Sequence, residues 1–210
     1  MKRSTSMLPI LLIPAMAVLG MGTIAGCSRS DRAGAAGVAG GGVNVALDGK
    51  PATVAGVTFT PPSAWRDFGQ VGMRAASYSF GPVAGDADSA TVAVFYFGKE
   101  QGGAVQANMD RWISQMSLPG GADPAKAAKR ADMTVDGMPA HLLQLVGTYS
   151  SGMGGAMGGT SAPQPDYMLS AVQLEGPQGS LFFKLTGPRR SAEQMNQGFV
   201  AMIKAARKTG

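Results

Sequence analysis

Few residues in this chain have the type and spacing for chemistry, and the single histidine and single cysteine are the first to weigh. His141 heads the run His141-Leu142-Leu143-Gln144-Leu145, in phase with Leu143 and Leu145. A general base needs a hydrogen-bonded nucleophile and an acid that orients the ring, and no spacing in the chain supplies either. His141 is therefore expected as a satisfied or edge-exposed strand residue. One histidine and one cysteine also fall short of a usual zinc site. Met153 and Met157, in a glycine-rich loop, offer soft thioether ligands to copper, against the plain alternative that methionine is abundant throughout the chain. Asp86 and Asp88 share a loop that lacks the glycine and closing glutamate of a calcium-binding loop. Gly98 to Gly103 precede a helix whose first-turn amides can hold an anion, but a strand-to-helix turn explains them. Trp65 and Trp112 could line a ligand groove, but core packing explains both positions fully. No catalytic residue, cofactor or metal ligand is assigned on these grounds.

Cys27 carries the sharpest signal. Lys2 and Arg3 form a basic start, Met7 to Gly22 is nearly all apolar, and Ile24-Ala25-Gly26 precede the cysteine. A basic end, a short apolar core and small residues before a cut make a secretory signal peptide. Its apolar run, broken by Pro9, Pro14, Gly20 and Gly22, is shorter than the ~20 residues of a comfortable membrane span. Ile24-Ala25-Gly26-Cys27 resembles the bacterial lipobox position by position. The resemblance implies cleavage before Cys27, a diacylglycerol on its sulfur and a lipid anchor to the cell envelope. Two or more acyl chains hold a protein firmly at ~0.8 kcal/mol per buried methylene. Ser28 stands where an inner-membrane retention signal places Asp, which favours the outer membrane facing the periplasm in a cell with two membranes. With no second cysteine there is no intramolecular disulfide.

Removing residues 1–26 takes away Lys2 and Arg3 and no acidic residue, leaving 16 of the 18 cations against 13 anions. No run of Lys or Arg exceeds two, so the clustered basic face that nucleic-acid binding requires is missing. Residues 27–43, mostly Gly and Ala, have too little apolar surface to offset ordering and read as a lipidated tether. Residues 44–210 are long enough for one α/β domain with a real core.

Within that domain, alternation predicts strands at Val54 to Thr60 and Val71 to Phe80. The apolar run Ala90 to Phe97 predicts a central strand covered on both faces. Val105, Met109, Trp112 and Met116 form one stripe of a helix. Asp136-Gly137 is a pair favoured in tight hairpin turns, between Met133 to Val135 and Ala140 to Tyr149. A second hairpin joins Tyr167 to Leu174 with Ser180 to Leu185. A last helix is expected from Ser191, with Gln194 completing a capping box and Met195, Phe199, Met202 and Ile203 facing the core. Lys204, Arg207 and Lys208 are placed at its end, where cations suit the dipole. These elements predict an α+β fold, a largely antiparallel sheet flanked by helices.

The strand ending in Pro followed by Trp, Val57-Thr58-Phe59-Thr60-Pro61-Pro62-Ser63-Ala64-Trp65, resembles the opening of PsbP-like domains. Several bacterial lipoproteins of the DcrB and LpqN kind are among them. Phe182-Phe183-Lys184-Leu185-Thr186-Gly187-Pro188 before the last helix fits the same plan, although Ala64 stands where Gly is commoner. The resemblance spans roughly residues 50–208. It implies an α/β/α sandwich that acts as a binding or assembly factor without a shared catalytic site. The expectation is thus a non-enzymatic envelope lipoprotein bound to the membrane through Cys27, with an envelope protein or a small ligand as partner. An enzyme, hydrolytic in kind, instead requires a concave pocket with two titratable groups of strongly perturbed pKa.

Overall fold

The computed structural model describes residues 45–151 and 162–209. Cys27, the segments expected to be a signal peptide and a tether, and the methionines Met153 and Met157 lie outside them. The elements in chain order are β1 (Ala52–Val54), β2 (Val57–Phe59), β3 (Arg66–Asp67), β4 (Arg74–Phe80) and β5 (Ala90–Tyr96). Helix α1 (Val105–Ile113), β6 (Met116–Ser117) and the short α2 (Pro124–Ala127) follow. Then come β7 (Lys129–Val135), β8 (Met138–Tyr149), β9 (Gln164–Gly176), β10 (Gly179–Pro188), α3 (Arg189–Lys204) and β11 (Arg207–Lys208).

Eight strands form one sheet in the order β3-β4-β5-β10-β9-β8-β6, with β7 also pairing with β8, and every pairing is antiparallel. Hairpin chemistry sets much of this order. Asp136 and Gly137 both adopt positive φ, 49° and 74°, as a tight turn between β7 and β8 demands. Gly176 pairs with Gly179 to close the β9–β10 hairpin.

Both faces of the sheet are covered by helix. On one face Val92 and Val94 of β5, Leu181, Phe183 and Leu185 of β10 and Leu174 of β9 meet Met195, Phe199, Met202 and Ile203 of α3. The small sheet β1-β2-β11 joins this core through Val57 and Phe59, and the Phe59 ring meets Phe183 edge-on at 5.2 Å. On the other face Met109, Trp112 and Ile113 of α1 pack on Leu143, Leu145, Leu169, Ala171 and Phe182. The result is the expected α+β class, an antiparallel sheet between helices.

Several local expectations need correction. Val54 to Thr60 is not one strand. Ala55 and Gly56 turn at φ 47° and 76°, so β1 and β2 form a hairpin. Strand β4 begins only at Arg74, because Gly72 at φ 57° breaks the backbone before it. Met116 has left the helix for β6, yet stays in the α1 core. Helix α3 starts at Arg189 after Pro188, and no side chain of its own caps it. Arg207 and Lys208 pair with β2 and do not extend the helix end.

The missing cap of α3 comes from the β4–β5 loop. Asp86 Oδ2 accepts from the backbone N–H of Ser191 at 2.7 Å and from its hydroxyl at 2.6 Å. An early helix amide without an intrahelical partner is thereby satisfied, and a carboxylate sits at the positive helix end. Trp65 is also explained by α3: a Cβ added to Gly198 would meet Trp65 Cζ2 and Pro62 Cγ, each at 2.9 Å. The Pro-Trp segment therefore lies directly on the helix backbone, and Trp65 serves the core.

Candidate functional site

The cross-strand register carries the chemistry-bearing residues to the α1 face. Arg74, Phe95, Phe182, Gln173, His141 and Asp132 occupy one row across β4, β5, β10, β9, β8 and β7. One step along, Ala93, Lys184 and Ala171 form the next row. Helix α1 covers the middle of this face and leaves a distinct feature at each side.

On the β4–β5 side a cleft of about 200 Å³ is lined by Met73, Phe95, Phe97, Arg111, Trp112, Gln115, Phe182 and Lys184. Its floor is aromatic. Phe95 and Phe97 stack at 6.0 Å with planes 10° apart, and Phe97 meets Phe182 at 5.6 Å. Met73 and Phe97 are 73% and 49% exposed, which is unusual for side chains of their size and polarity. The strand Ala90 to Phe97, expected to be covered on both faces, is therefore open here at its aromatic end. Gly102, at φ 101°, lets the turn before α1 lie on the Phe182 ring, since a Cβ there would stand 2.5 Å from it.

Lys184 is the part-buried cation of this cleft. Its ammonium donates to Gln115 Oε1 at 2.5 Å and to the Tyr149 hydroxyl at 3.0 Å. Burial, and then the positive charges of Arg111 and Arg74, push the amine down from 10.5 to about 8. Burial holds the Tyr149 phenol above its ordinary range, with Arg74 opposing. The ion pairs among the described residues involve only His141 and Arg189 as cations, so no carboxylate neutralises Lys184, Arg111 or Arg74 there. Little in the sequence singled out Lys184, because a lysine alternating with apolar residues on a strand reads as a solvent-facing position.

Beneath α1 a polar network locks the cleft wall. The Asn108 amide donates to Gly102 O at 2.8 Å and to Gln173 Oε1 at 3.0 Å, and Gln173 in turn donates to Ser180 Oγ. Arg111 donates to Asn108 Oδ1, which ties the cationic rim to the same network. No buried side-chain polar atom among the described residues is left without a partner.

On the β7–β8 side His141 does have acids beside it, which spacing alone had not supplied. Nδ1 lies 2.7 Å from Asp132 Oδ1, and Nε2 lies 3.3 Å from Glu175 Oε1. Both ring nitrogens are thus occupied by carboxylates, and no hydroxyl or thiol joins them. Asp132 is 85% exposed, so water screens the pair. His141 is thus a satisfied histidine on an interior strand, paired with β7 on one side and β9 on the other and 23% exposed, and does not lie at an edge. Among the described residues no group of three His, Cys, Asp or Glu side chains is placed to hold a metal ion.

The remaining sequence candidates resolve into structure. Asp86 caps α3, and Asp88 accepts a hydrogen bond from Tyr167 at 3.4 Å. Beside the Gly98–Gly103 turn lies a shallow hollow of about 490 Å³, larger than the aromatic cleft. Glu100 and Glu175 line it, and two carboxylates repel the anion that the helix amides would attract. Trp112 both packs against the sheet and walls the cleft, so the two readings of that residue coexist. No helix of the described residues is long and apolar enough to cross a membrane.

No family model matches the chain, and no curated protein matches it. Similar solved structures include LpqN of Mycobacterium tuberculosis, described as involved in cell envelope biogenesis. It shares 13% identity over 78% of this chain and 86% of that one, with a TM-score of 0.47. Cyanobacterial PsbP (CyanoP) from Synechocystis shares 12% identity over 83% of this chain and 99% of that one, also with a TM-score of 0.47. A Pseudomonas aeruginosa protein of unknown function, described as a putative regulator, shares 15% identity over 74% and 93%, with a TM-score of 0.34.

Proposed function

We propose that this chain is an envelope lipoprotein, anchored by lipid on Cys27, whose domain is a non-enzymatic binding module with the aromatic cleft as its ligand site. One observation carries the binding reading. Exposed Met73 and Phe97 border a concavity with an aromatic floor and a few convergent polar groups, the composition of a small-molecule site. The anchor reading rests on the lipobox-like Ile24-Ala25-Gly26-Cys27. In a cell with two membranes the chain is placed on the outer membrane, facing the periplasm.

Two experiments test this. Mass analysis of native protein is expected to find an acylated cysteine as the first residue, and Cys27→Ser is expected to release the chain from membranes. A bare thiol behind an intact leader refutes the anchor. Trp112 walls the cleft while Trp65 lies in the opposite core, so a Trp65→Phe background reports ligand entry through Trp112 fluorescence.

A second reading is kept alive by one contact. Lys184, with its amine near 8, touches Tyr149, whose phenol is raised, so two perturbed groups meet at the cleft. One strongly shifted group in contact with a second, less shifted one is half of what a hydrolytic site needs. A screen of ester and amide substrates decides it: turnover abolished by Lys184→Met favours the enzyme, and silence favours the binder.

A further inference from the structure

We infer that the ligand of the aromatic cleft is a small organic acid with a flat apolar body, its carboxylate held by Lys184 and Arg111. This rests on the reading of the cleft as the ligand site, and it adds the chemical class.

The charge pattern gives the sign. Lys184 and Arg111 both line the cleft, and Arg74 lies in the same cross-strand row as Phe95. Among the described residues none of the three is in an ion pair. Three cations gathered around an apolar floor repel one another, and a protein surface ordinarily intersperses acids among them. An anion entering the cleft removes that repulsion, and the low-dielectric floor strengthens its attraction. Hydrogen-bond capacity agrees. An ammonium has three donors, of which Gln115 and Tyr149 take two. Arg111 spends part of its five-donor fork on Asn108 Oδ1 and keeps the rest for a carboxylate, the group that fork matches best.

The floor gives the shape. Phe95 and Phe97 lie nearly parallel and Phe97 meets Phe182 at 47°, with Trp112 as a wall. Ring faces reward a flat body through offset stacking, beyond the area it buries. The cavity of about 200 Å³ suits a one- or two-ring molecule rather than a large ligand. A multiply charged phosphate is poorly served. It has no ring face to lay on Phe95, Phe97 or Phe182, and at the C-terminal turn of α1 no free helix amides add to the two cations.

The test uses the full-length chain in neutral phosphatidylcholine nanodiscs, with empty nanodiscs subtracted, and titration calorimetry of 2-naphthoate, its neutral analogue 2-naphthamide, octanoate and inorganic phosphate. Naphthoate is expected to bind at least ~10-fold more tightly than naphthamide, the worth of one charge-assisted hydrogen-bonded pair. Lys184→Met is expected to reduce that preference, the remainder resting on Arg111, and Phe97→Ala, at a half-exposed position, to weaken both ligands. Naphthoate affinity is expected to hold below pH 8 and to fall above it as the amine loses its proton, levelling off near the affinity of the Lys184→Met variant. Equal binding of acid and amide overturns the inference, as does tighter binding of octanoate or phosphate. Displacement of the neutral probe N-phenyl-1-naphthylamine separates the two levels. If the probe enters the cleft and no acid displaces it, the acid class is wrong and the binding site stands. If neither probe nor acid binds, the cleft is not a ligand site.

Discussion

Replacing Lys184 by Met removes a charge from beneath α1 while keeping an unbranched chain of similar length. In the folded protein the amine titrates near 8 instead of 10.5, chiefly because it is buried and secondarily because Arg111 and Arg74 face it. That displacement costs the charged form roughly 3 kcal/mol. Against it stand two hydrogen bonds, to Gln115 and Tyr149, each worth about 1 kcal/mol net. The variant is therefore expected to be more stable than the parent by about 1–2 kcal/mol at pH 7. The pH dependence is the sharper readout. The unfolded lysine keeps its proton up to 10.5 and the folded one releases it near 8. Between those values the unfolded chain binds more protons, so the parent gains stability as pH rises, and the variant lacks this gain. Urea denaturation of parent and variant, both carrying Cys27→Ser, at steps from pH 6 to 10 measures the difference directly. The advantage of the variant should hold to pH 8 and then shrink and reverse. A difference that stays constant from pH 7 to pH 10 refutes the picture of an uncompensated cation and removes the electrostatic ground for an acidic ligand.

Three further substitutions, one with a neighbouring control, probe the frame around the cleft. Asp86→Ala deletes the carboxylate that caps α3 from a distant loop and is expected to cost about 1–2 kcal/mol by urea denaturation, whereas Asp88→Ala costs little. Gly198→Ala forces a methyl to within 2.9 Å of Trp65 and Pro62, and overpacking there is expected to cost about 1–3 kcal/mol and to shift Trp65 fluorescence. Gly102→Ala places a methyl 2.5 Å from the Phe182 ring at a φ of 101° that other residues avoid. It is expected to cost about 1–3 kcal/mol and to reduce binding of the neutral probe, while probe binding unchanged from the parent would separate the cleft from that turn.

The features legible along the chain were local ones. Turn signals marked the hairpins that hold β8, β9 and β10, the Asp136-Gly137 pair with two positive φ angles that only such residues tolerate among them, and the apolar stripe marked α1 and α3. From these the antiparallel sheet with flanking helices was legible, because each signal arises within a few bonds of the residue that carries it. Tertiary structure decided the rest. Gln194 sits at a capping-box spacing, yet the helix starts at Arg189 behind Pro188, and Asp86 reaches the Ser191 amide from a loop about a hundred residues earlier in the chain. His141 looked solitary until strand register set Asp132 and Glu175 on either side of it. The cleft was invisible for the same reason. Phe95, Phe182 and Lys184 come from strands whose adjacency depends on pairing across some ninety residues, and Arg111 is aimed at them by a helix packed on the opposite half of that face. A cation's neighbours set its solvation and repulsion, and those neighbours exist only once the chain has closed on itself.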